Sequence, residues 1–301
     1  LVPRLHQLGH TVTCLVRSPD SARNNPGLQD AHLLKGNVAD KASLDGVIED
    51  HDAVIHLAVL GHLNESTGSA EDFFTVNVEG TRNVLSECVR AQPSRILCFS
   101  SSAIYGIPKN EVIDENTPAD PLTPYGASKY RADQVVQEFV RDHNLPIMSL
   151  LFTHIYGPGE TRDFLTICKM MKKGIFPQVG LSPNYYPALY IDDSLEAILT
   201  CLSKGRFGET YIITDDDPHD LREIRKLVRQ SLNMKTGFYP VIPRSFGILG
   251  AQILERGLSL IGKSSPVKAK NIRSIAGGRR FSIQKSKNEL GFEPQVTMHQ
   301  A

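Results

Sequence analysis

Pro124-Tyr125-Gly126-Ala127-Ser128-Lys129-Tyr130 is the stretch around which the rest of the chain is interpreted. Tyr125 and Lys129 are four residues apart, so a helix places both side chains on one face. An isolated phenol titrates near pH ~10, and a cation held close to it favours the phenolate. The pair therefore predicts a proton-transfer device.

The same spacing occurs a second time, at Tyr105 and Lys109. Pro108 lies between those two residues and would break the helix that must align such a pair. The surroundings of the two pairs thus favour Tyr125 as the reactive tyrosine.

Composition excludes several classes of protein. The 301 residues are 41% hydrophobic and 22% charged, as in a globular protein with a sizeable core. The 33 basic residues balance the 33 acidic ones, so no net charge attracts the chain to nucleic acid or to an anionic membrane. The longest apolar stretch, 246–262, is interrupted by charged residues and is too short to span a bilayer. Attachment to a membrane surface is the less favoured interpretation of that stretch.

The five cysteines stand singly, with no Cys-x-x-Cys spacing. Isolated cysteines in apolar contexts are typical of reduced thiols in the core of a cytoplasmic protein. We therefore expect a cytoplasmic location and no metal site.

Strands alternate with helices in the first half of the chain. Apolar runs predict strands at 12–16, 31–34, 53–58, 95–99 and 147–152, and helical spacing predicts helices within 40–50, 70–92 and 125–143. This alternation predicts an α/β fold with a doubly wound parallel sheet. Later segments predict a smaller, partly helical lobe, with helices at 165–173, 192–204, 221–232 and 246–261 and a strand at 210–213.

These patterns predict two domains. We expect a dinucleotide-binding Rossmann domain at 1–155 and a substrate-binding lobe at 156–301, with about 190–215 returning to the Rossmann core.

Seven motifs occur in an order that resembles the extended short-chain dehydrogenases/reductases, the NAD-dependent epimerase/dehydratase group. They are His56-Leu57-Ala58, Asn77-Val78-Glu79-Gly80-Thr81, Ser100-Ser101-Ser102-Ala103-Ile104-Tyr105-Gly106, Tyr125 to Lys129, Ile155-Tyr156-Gly157-Pro158-Gly159, Tyr190-Ile191-Asp192-Asp193 and Lys287-Asn288-Glu289-Leu290-Gly291-Phe292. The resemblance covers nearly the whole chain. It implies an enzyme that moves a hydride between a nicotinamide and a carbinol or carbonyl carbon.

The resemblance also implies roles for individual residues. Tyr125 would be the acid/base, Lys129 would bind the nicotinamide ribose and favour the phenolate, and Ser101 would hydrogen-bond the substrate oxygen. Ser102 is the alternative to Ser101. Tyr105 is expected in the wall of the substrate cleft.

The cofactor is expected to lie at the end of strand 12–16, because the adenosine ribose lies there in this architecture. Family members that prefer NAD usually carry an acid at this place. Here Arg17 can instead pair with a 2′-phosphate, so NADP is the preferred cofactor and NAD the alternative. Asn37 stands where the family usually has an Asp near the adenine. Further residues expected to bind or shape the cofactor site are Val38, His56, Leu57, Ala58, Asn77, Tyr125 and Lys129.

The substrate stays open because the chain departs from the sugar-nucleotide pattern. Members of that branch commonly carry an Arg and an Asn before the Tyr-Gly-Pro-Gly motif, where this chain has Leu151 and His154. Arg273 could bind a substrate diphosphate or lie exposed on the surface. The stretch 279–292 also resembles the 3β-hydroxysteroid dehydrogenase branch.

Three functions follow from this pattern. We expect a small-molecule enzyme acting as epimerase, dehydratase or reductase on a nucleotide sugar. The first alternative is an oxidoreductase of a hydrophobic alcohol or ketone, and the second is a catalytically weak NADP-binding sensor.

Two further expectations come from the resemblance. The family begins with a strand and a Gly-x-x-Gly-x-x-Gly turn, and 1–8 reads as the end of the helix that follows, so we expect roughly 10–20 residues before Leu1. Helices 70–92 and 125–143 are candidates for a homodimer interface. Val136 and Phe139 suit either that interface or burial against the sheet.

Overall fold

A computed structural model describes residues 1–61, 68–107, 112–161, 163–174, 178–180, 183–216, 219–234, 241–260 and 278–301. The chain divides into two compact units by its internal contacts. The first comprises Leu1–Ser100, Thr123–Leu150 and Cys201–Thr210, and the second comprises Ser101–Leu122, Leu151–Thr200 and Tyr211–Ala301. The assignment of a Rossmann domain to 1–155 and a substrate lobe to 156–301 stays a prediction.

The described elements alternate along the chain. The strands are β1 (Thr13–Val16), β2 (His32–Lys35), β3 (Ala53–His56), β4 (Arg95–Ser101), β5 (Val112–Ile113), β6 (Ile147–Phe152), β7 (His154–Tyr156), β8 (Gln178–Val179), β9 (Tyr185–Tyr186), β10 (Ala188–Tyr190), β11 (Thr210–Ile213), β12 (His219–Asp220), β13 (Val241–Ile242) and β14 (Arg280–Phe281). The helices are α1 (Val2–Gln7), α2 (Pro19–Ala22), α3 (Ala70–Phe74), α4 (Gly80–Ala91), α5 (Pro124–His143), α6 (Asp163–Lys172), α7 (Ile191–Lys204), α8 (Leu221–Ser231) and α9 (Arg244–Leu260).

Parallel strand pairing dominates the sheets. Four strands lie in the order β11-β6-β4-β3, and β1 pairs with β2 in a separate parallel ribbon. Thr13 lies opposite His32 in that ribbon, and Ala53 lies opposite Arg95 in the β3–β4 pair. The predicted Rossmann-type α/β fold is confirmed. Among the described residues no strand joins the ribbon to the four-stranded sheet.

The core of the first unit lies where α4 and α5 meet the sheet strands. Gly80, the first residue of α4, lies so close to Val38 that an added Cβ would come within 2.8 Å of Val38 Cγ2, so a glycine fits this position best. Val136 and Phe139 are buried in this cluster, so of the two positions considered for them, burial against the sheet is the one observed. The buried members are Val38, Leu44, Ile48, Val78, Val84, Leu85, Cys88, Ile96, Cys98, Val135, Val136, Phe139, Leu145 and Ile147.

Two of the helices predicted from the sequence differ in the structure. Within 40–50 the chain forms only a 3₁₀ turn, Lys41–Leu44, because Gly46 adopts a φ of +75° and Asp50 a φ of +62° that an α-helix excludes. Asp40 does cap this turn, accepting from the Ala42 amide at 3.2 Å. The helix expected over 70–92 is interrupted by a π-helical turn at Thr75–Glu79.

The strand expected over 53–58 is shorter than predicted. It ends at His56, and Leu57 beyond it is 50% exposed. The apolar run therefore predicted the strand correctly but placed its end two residues too late.

The second unit has its own core, between α6, α8 and the short strands. Its buried members are Tyr156, Met171, Tyr186, Ala188, Leu221, Ile224 and Met298. Among the described helices, none combines the length and hydropathy that crossing a bilayer requires.

Asp193 attaches the C-terminal segment to the start of α7. Its side chain is 5% exposed, and its two carboxylate oxygens accept from the backbone amides of Gln295 and Val296, each at 3.0 Å. Met298, a few residues later, packs into the core of this unit. A buried carboxylate therefore satisfies two amides and orders the chain end at the same time.

Replacing Asp193 by Asn should destabilise this unit. The amide retains the shape but loses the charge and one acceptor, which costs roughly 1.5–3 kcal/mol for hydrogen bonds to a charged group. We expect a lower urea midpoint and faster cleavage at the exposed Glu293 by a glutamate-specific protease. Asp192→Asn is the matched control, because Asp192 is exposed. Equal midpoints for the two variants would contradict the anchoring role.

Candidate active site

Helix α5 presents the tyrosine and the lysine in its first turns. Thr123 is the N-cap, and its hydroxyl accepts from the Gly126 amide at 3.0 Å, while Pro124 occupies the first helical position. This start fixes the phase of the helix. Tyr125 is half-buried, and its ring packs edge-on against Phe73 with centroids 6.3 Å apart.

Lys129 lies one turn further along and is only 8% exposed. Its Nζ donates to the carbonyl oxygen of Phe99, near the end of β4. Burial lowers the pKa of Lys129, and the Asp133 carboxylate acts in the opposite direction. The first unit thus holds an ammonium group on the same helix as the tyrosine. The Phe99 carbonyl and the Asp133 carboxylate offset part of the cost of burying it.

Asn77 connects three segments around α5. Its Oδ1 accepts from the Leu60 amide at 2.7 Å, and its Nδ2 donates to the Leu60 carbonyl at 3.1 Å and to Ser128 Oγ at 2.9 Å. Ser128 in turn donates to the Tyr125 carbonyl at 2.8 Å. Asn77 lies within the π-helical turn, a feature that occurs frequently at functional sites. Its observed contacts fix the loop after β3 and the first turn of α5.

His56 ends β3 as a fully enclosed imidazole. Its Nε2 lies 3.0 Å from Thr81 Oγ1, and the Thr81 hydroxyl donates to the Asn77 carbonyl at 2.7 Å. Because that hydroxyl proton is already used, Thr81 accepts from His56, and the ring carries its proton on Nε2. Burial, with a smaller effect of the Lys129 charge, lowers the pKa of His56 to about 4.

Sequence reasoning missed two polar residues beside Lys129. Asp133 lies one turn after Lys129 on α5, and its Oδ2 accepts from Ser100 Oγ at 2.5 Å. Burial raises the pKa of Asp133 to about 6, although Lys129 and Ser100 both act to lower it. A second four-residue step, from Lys129 to Asp133, was the signal in the sequence that could have revealed it.

The remaining catalytic and substrate residues belong to the second unit. Ser101 accepts from the Ala103 amide at 3.3 Å and caps the 3₁₀ turn Ser102–Tyr105, and Ser102 is buried. Tyr105 is 3% exposed and donates to the Asp114 carbonyl at 3.2 Å. The His154 ring stacks on Tyr186 with centroids 4.4 Å apart. Among the other named residues, Arg273 and the pair Pro108 and Lys109 lie outside the described residues.

The expected cofactor residues of the first unit fall into two groups. Arg17 and Asn37 line a polar cleft of about 310 Å³ at the carboxyl ends of β1 and β2, together with Lys35, Gly36, Asp40 and Ser43. Parallel sheets bind nucleotides at this edge, and the cleft offers cations and hydrogen-bonding groups that fit an adenosine and its phosphate. Of the other group, Val38 is buried in the core, whereas Leu57 and Ala58 are exposed beyond the end of β3.

The fold agrees with the comparison to known families. Residues 1–214 match the model described as the NAD dependent epimerase/dehydratase family. The chain belongs to this family. The resemblance expected from the motifs, and with it membership of an NAD-dependent enzyme family, is therefore confirmed.

Curated relatives in the family include enzymes with two different activities. The chain is 29% identical to N-acetyl-α-D-glucosaminyl-diphospho-ditrans,octacis-undecaprenol 4-epimerase of Escherichia coli O157:H7, over 88% of this chain and 80% of that protein. It is also 29% identical to dTDP-glucose 4,6-dehydratase of Xanthomonas campestris pv. campestris, over 91% of this chain and 77% of that protein. Among solved structures, the chain is similar to the dTDP-glucose 4,6-dehydratase of Streptomyces venezuelae with NAD bound. The match has a TM-score of 0.74 and 22% identity, and it covers 99% of this chain and 88% of that one.

The enclosed imidazole of His56 predicts loss of stability in acid. The pKa is about 4 in the folded protein against 6.5 for a free imidazole, so the unfolded chain binds more protons between these values. Stability contributed by neutral His56 is present above pH 6.5 and is lost as the pH falls toward 4. A shift of this size corresponds to roughly 3 kcal/mol.

We expect His56→Gln, whose amide can still donate to Thr81, to remove this part of the pH dependence. Urea unfolding at a series of pH values measures it. His10→Gln, at an exposed histidine, is the control. If His56→Gln loses as much stability as the wild type between pH 7 and pH 4, then His56 does not stay neutral in the folded state.

Proposed function

We propose that this chain is an NAD(P)-dependent epimerase or dehydratase that acts at a hydroxyl-bearing carbon of a nucleotide sugar. The observation that carries the proposal is the buried Lys129 ammonium, which lies on the same face of α5 as Tyr125. It donates a hydrogen bond to the Phe99 carbonyl of β4. A buried cation one helical turn from a partly exposed phenol is an arrangement that can serve proton transfer.

A bound nicotinamide cofactor would supply hydride transfer, and in the proposed mechanism the side chains of this protein move the proton. The Tyr125 phenolate takes the proton from the substrate hydroxyl as the carbon is oxidised, and returns a proton when it is reduced. Lys129 favours the phenolate through its charge and binds the nicotinamide ribose. Ser101 hydrogen-bonds the substrate oxygen, a role that the family resemblance supports. Asn77 and Ser128 fix the backbone of Tyr125, so the phenol keeps its position during the proton transfer.

Tyr125→Phe should lose turnover while cofactor binding stays nearly intact. Removing a general acid/base typically costs about 10²–10⁴-fold in rate. The measurement is turnover with dTDP- and UDP-sugars, followed at 340 nm or by product analysis, beside a fluorescence titration with NADH and NADPH. Tyr130→Phe is the matched control, since Tyr130 is 37% exposed and lies on the same helix. Full activity in the Tyr125 variant would refute the assignment.

The substrate panel also separates the other two functions. Sugar diphosphates of either a nucleotide or a polyprenol are included, because the relatives named above act on both kinds of donor. Turnover of a hydroxysteroid or another apolar alcohol, with none of the sugars, would favour the first alternative. Cofactor binding without turnover of any hydroxyl compound would favour the sensor.

We further propose that NADP is preferred over NAD. Two cations, Arg17 and Lys35, line the cleft at the ends of β1 and β2, where a 2′-phosphate would meet them. Asp40 lines the same cleft, but it also caps the turn after β2. The surplus of positive charge in this cleft supports the phosphorylated cofactor.

Arg17→Ala should weaken NADPH binding by about tenfold and change NADH binding much less, as expected for a lost charge-assisted contact. Dissociation constants from nicotinamide fluorescence measure both. Arg23→Ala serves as the control, because Arg23 is exposed and does not line the cleft. Tighter binding of NADH than of NADPH by the wild-type protein would overturn the preference.

We propose, from the family resemblance, a homodimer that uses the helical segments 70–92 and 125–143, and a cytoplasmic location. Size-exclusion chromatography with light scattering tests the dimer.

A further inference from the structure

The first unit holds a partly buried carboxylate, Asp133, that the proposed mechanism does not use. Asp133 and Lys129 are one turn apart on α5, and both face the end of β4. Lys129 donates to the Phe99 carbonyl, and the next residue of the strand, Ser100, donates to Asp133. Two consecutive strand residues therefore hold two consecutive turns of the helix.

The Ser100 hydroxyl fixes where the negative charge lies. Its proton is donated to Asp133 Oδ2, and Ser100 itself is only 6% exposed, so the carboxylate cannot turn away without leaving a buried hydroxyl without its acceptor. The charge is thereby kept toward β4, the strand whose Phe99 carbonyl accepts from Lys129.

The other groups around Lys129 do not provide this charge. His56 on β3 is held neutral, because burial lowers its pKa to about 4. Cys98 on β4 is held as a thiol, because burial raises its pKa to about 12. Apart from Tyr125, whose phenolate depends on the Lys129 charge, Asp133 is the anionic group that raises the pKa of Lys129.

We propose that Asp133 is a positioning residue for the reaction: its carboxylate, oriented by Ser100, keeps the Lys129 side chain protonated and directed toward the end of β4. A buried ammonium loses its proton readily unless an opposite charge lies near it. Tyr125 then depends on Asp133 indirectly, through the charge of Lys129. The inference rests on the proposed function, and it assigns a role to a residue that does not touch substrate or cofactor.

The direct test follows the proton on Lys129 and does not need turnover. Protein labelled with ¹³Cε-lysine is titrated by NMR, and Lys129→Met identifies the signal. We expect Asp133→Asn, which keeps the side-chain shape, to lower the midpoint of Lys129 by about one pH unit or more. Asp142→Asn, an exposed aspartate of the same helix, should leave that midpoint unchanged. An unchanged midpoint in Asp133→Asn would overturn the proposal.

A second measurement uses the wild-type protein and does not depend on whether the variant folds. If the carboxylate acts on the ammonium, the Lys129 signal should show a step when Asp133 titrates, near pH 6. No step between pH 5 and 7 would also overturn the proposal.

Turnover separates this inference from the proposed function. In Asp133→Asn the alkaline limb of the turnover–pH profile should shift to lower pH by the same amount as the Lys129 midpoint, and Asp133→Glu should restore most of it. If the midpoint moves but the limb does not, Asp133 holds the proton as proposed, and the role given to Lys129 in turnover is wrong. If both stay unchanged, the positioning role is wrong and the role of Lys129 stands.

Discussion

A buried ammonium must have oxygen partners, and that requirement organises the first unit. Removing an ion from water costs several kcal/mol even after the protein relaxes. The Phe99 carbonyl and the Asp133 charge offset this cost for Lys129. Both partners depend on the phase of α5 against β4, which the Thr123 cap fixes at the start of the helix. The register of α5 against β4 therefore determines where the Lys129 ammonium and the Tyr125 phenol lie.

The polar contacts around this cation form one connected structure. Leu60, Asn77, Ser128 and the Tyr125 backbone are joined by successive hydrogen bonds, and His56 joins the same group through Thr81. Buried polar groups that are fully satisfied hold the surrounding backbone rigid, whereas each unsatisfied one costs free energy. Asn77 thus contributes to the site by holding two backbone segments, a role that its position in a motif does not reveal.

The sequence was sufficient for the fold, but not for the polar contacts around Tyr125 and Lys129. The helical period of apolar residues predicted the bounds of α5, and an apolar run predicted the bounds of β6. Long amphipathic helices and fully buried strands have strong sequence patterns. The 3₁₀ turn at Lys41–Leu44 was missed, since a helical spacing of apolar residues does not reveal a positive φ at Gly46. Asp133 was missed for another reason. Its partner Ser100 is 33 residues away, and only the folded chain brings a strand end and a helix face together.

The π-helical turn at Thr75–Glu79 has a consequence for how this region can vary. A wide turn accommodates more residues than an α-helical turn, so the segment differs from a regular helix by chain length as much as by side chains. Removing one residue there would regularise the winding and leave the flanking helical segments in nearly the same phase, while the residues inside the turn would change direction. Asn77 would then leave its position even though its codon were intact. In this segment, insertions and deletions change the chemistry more abruptly than substitutions do.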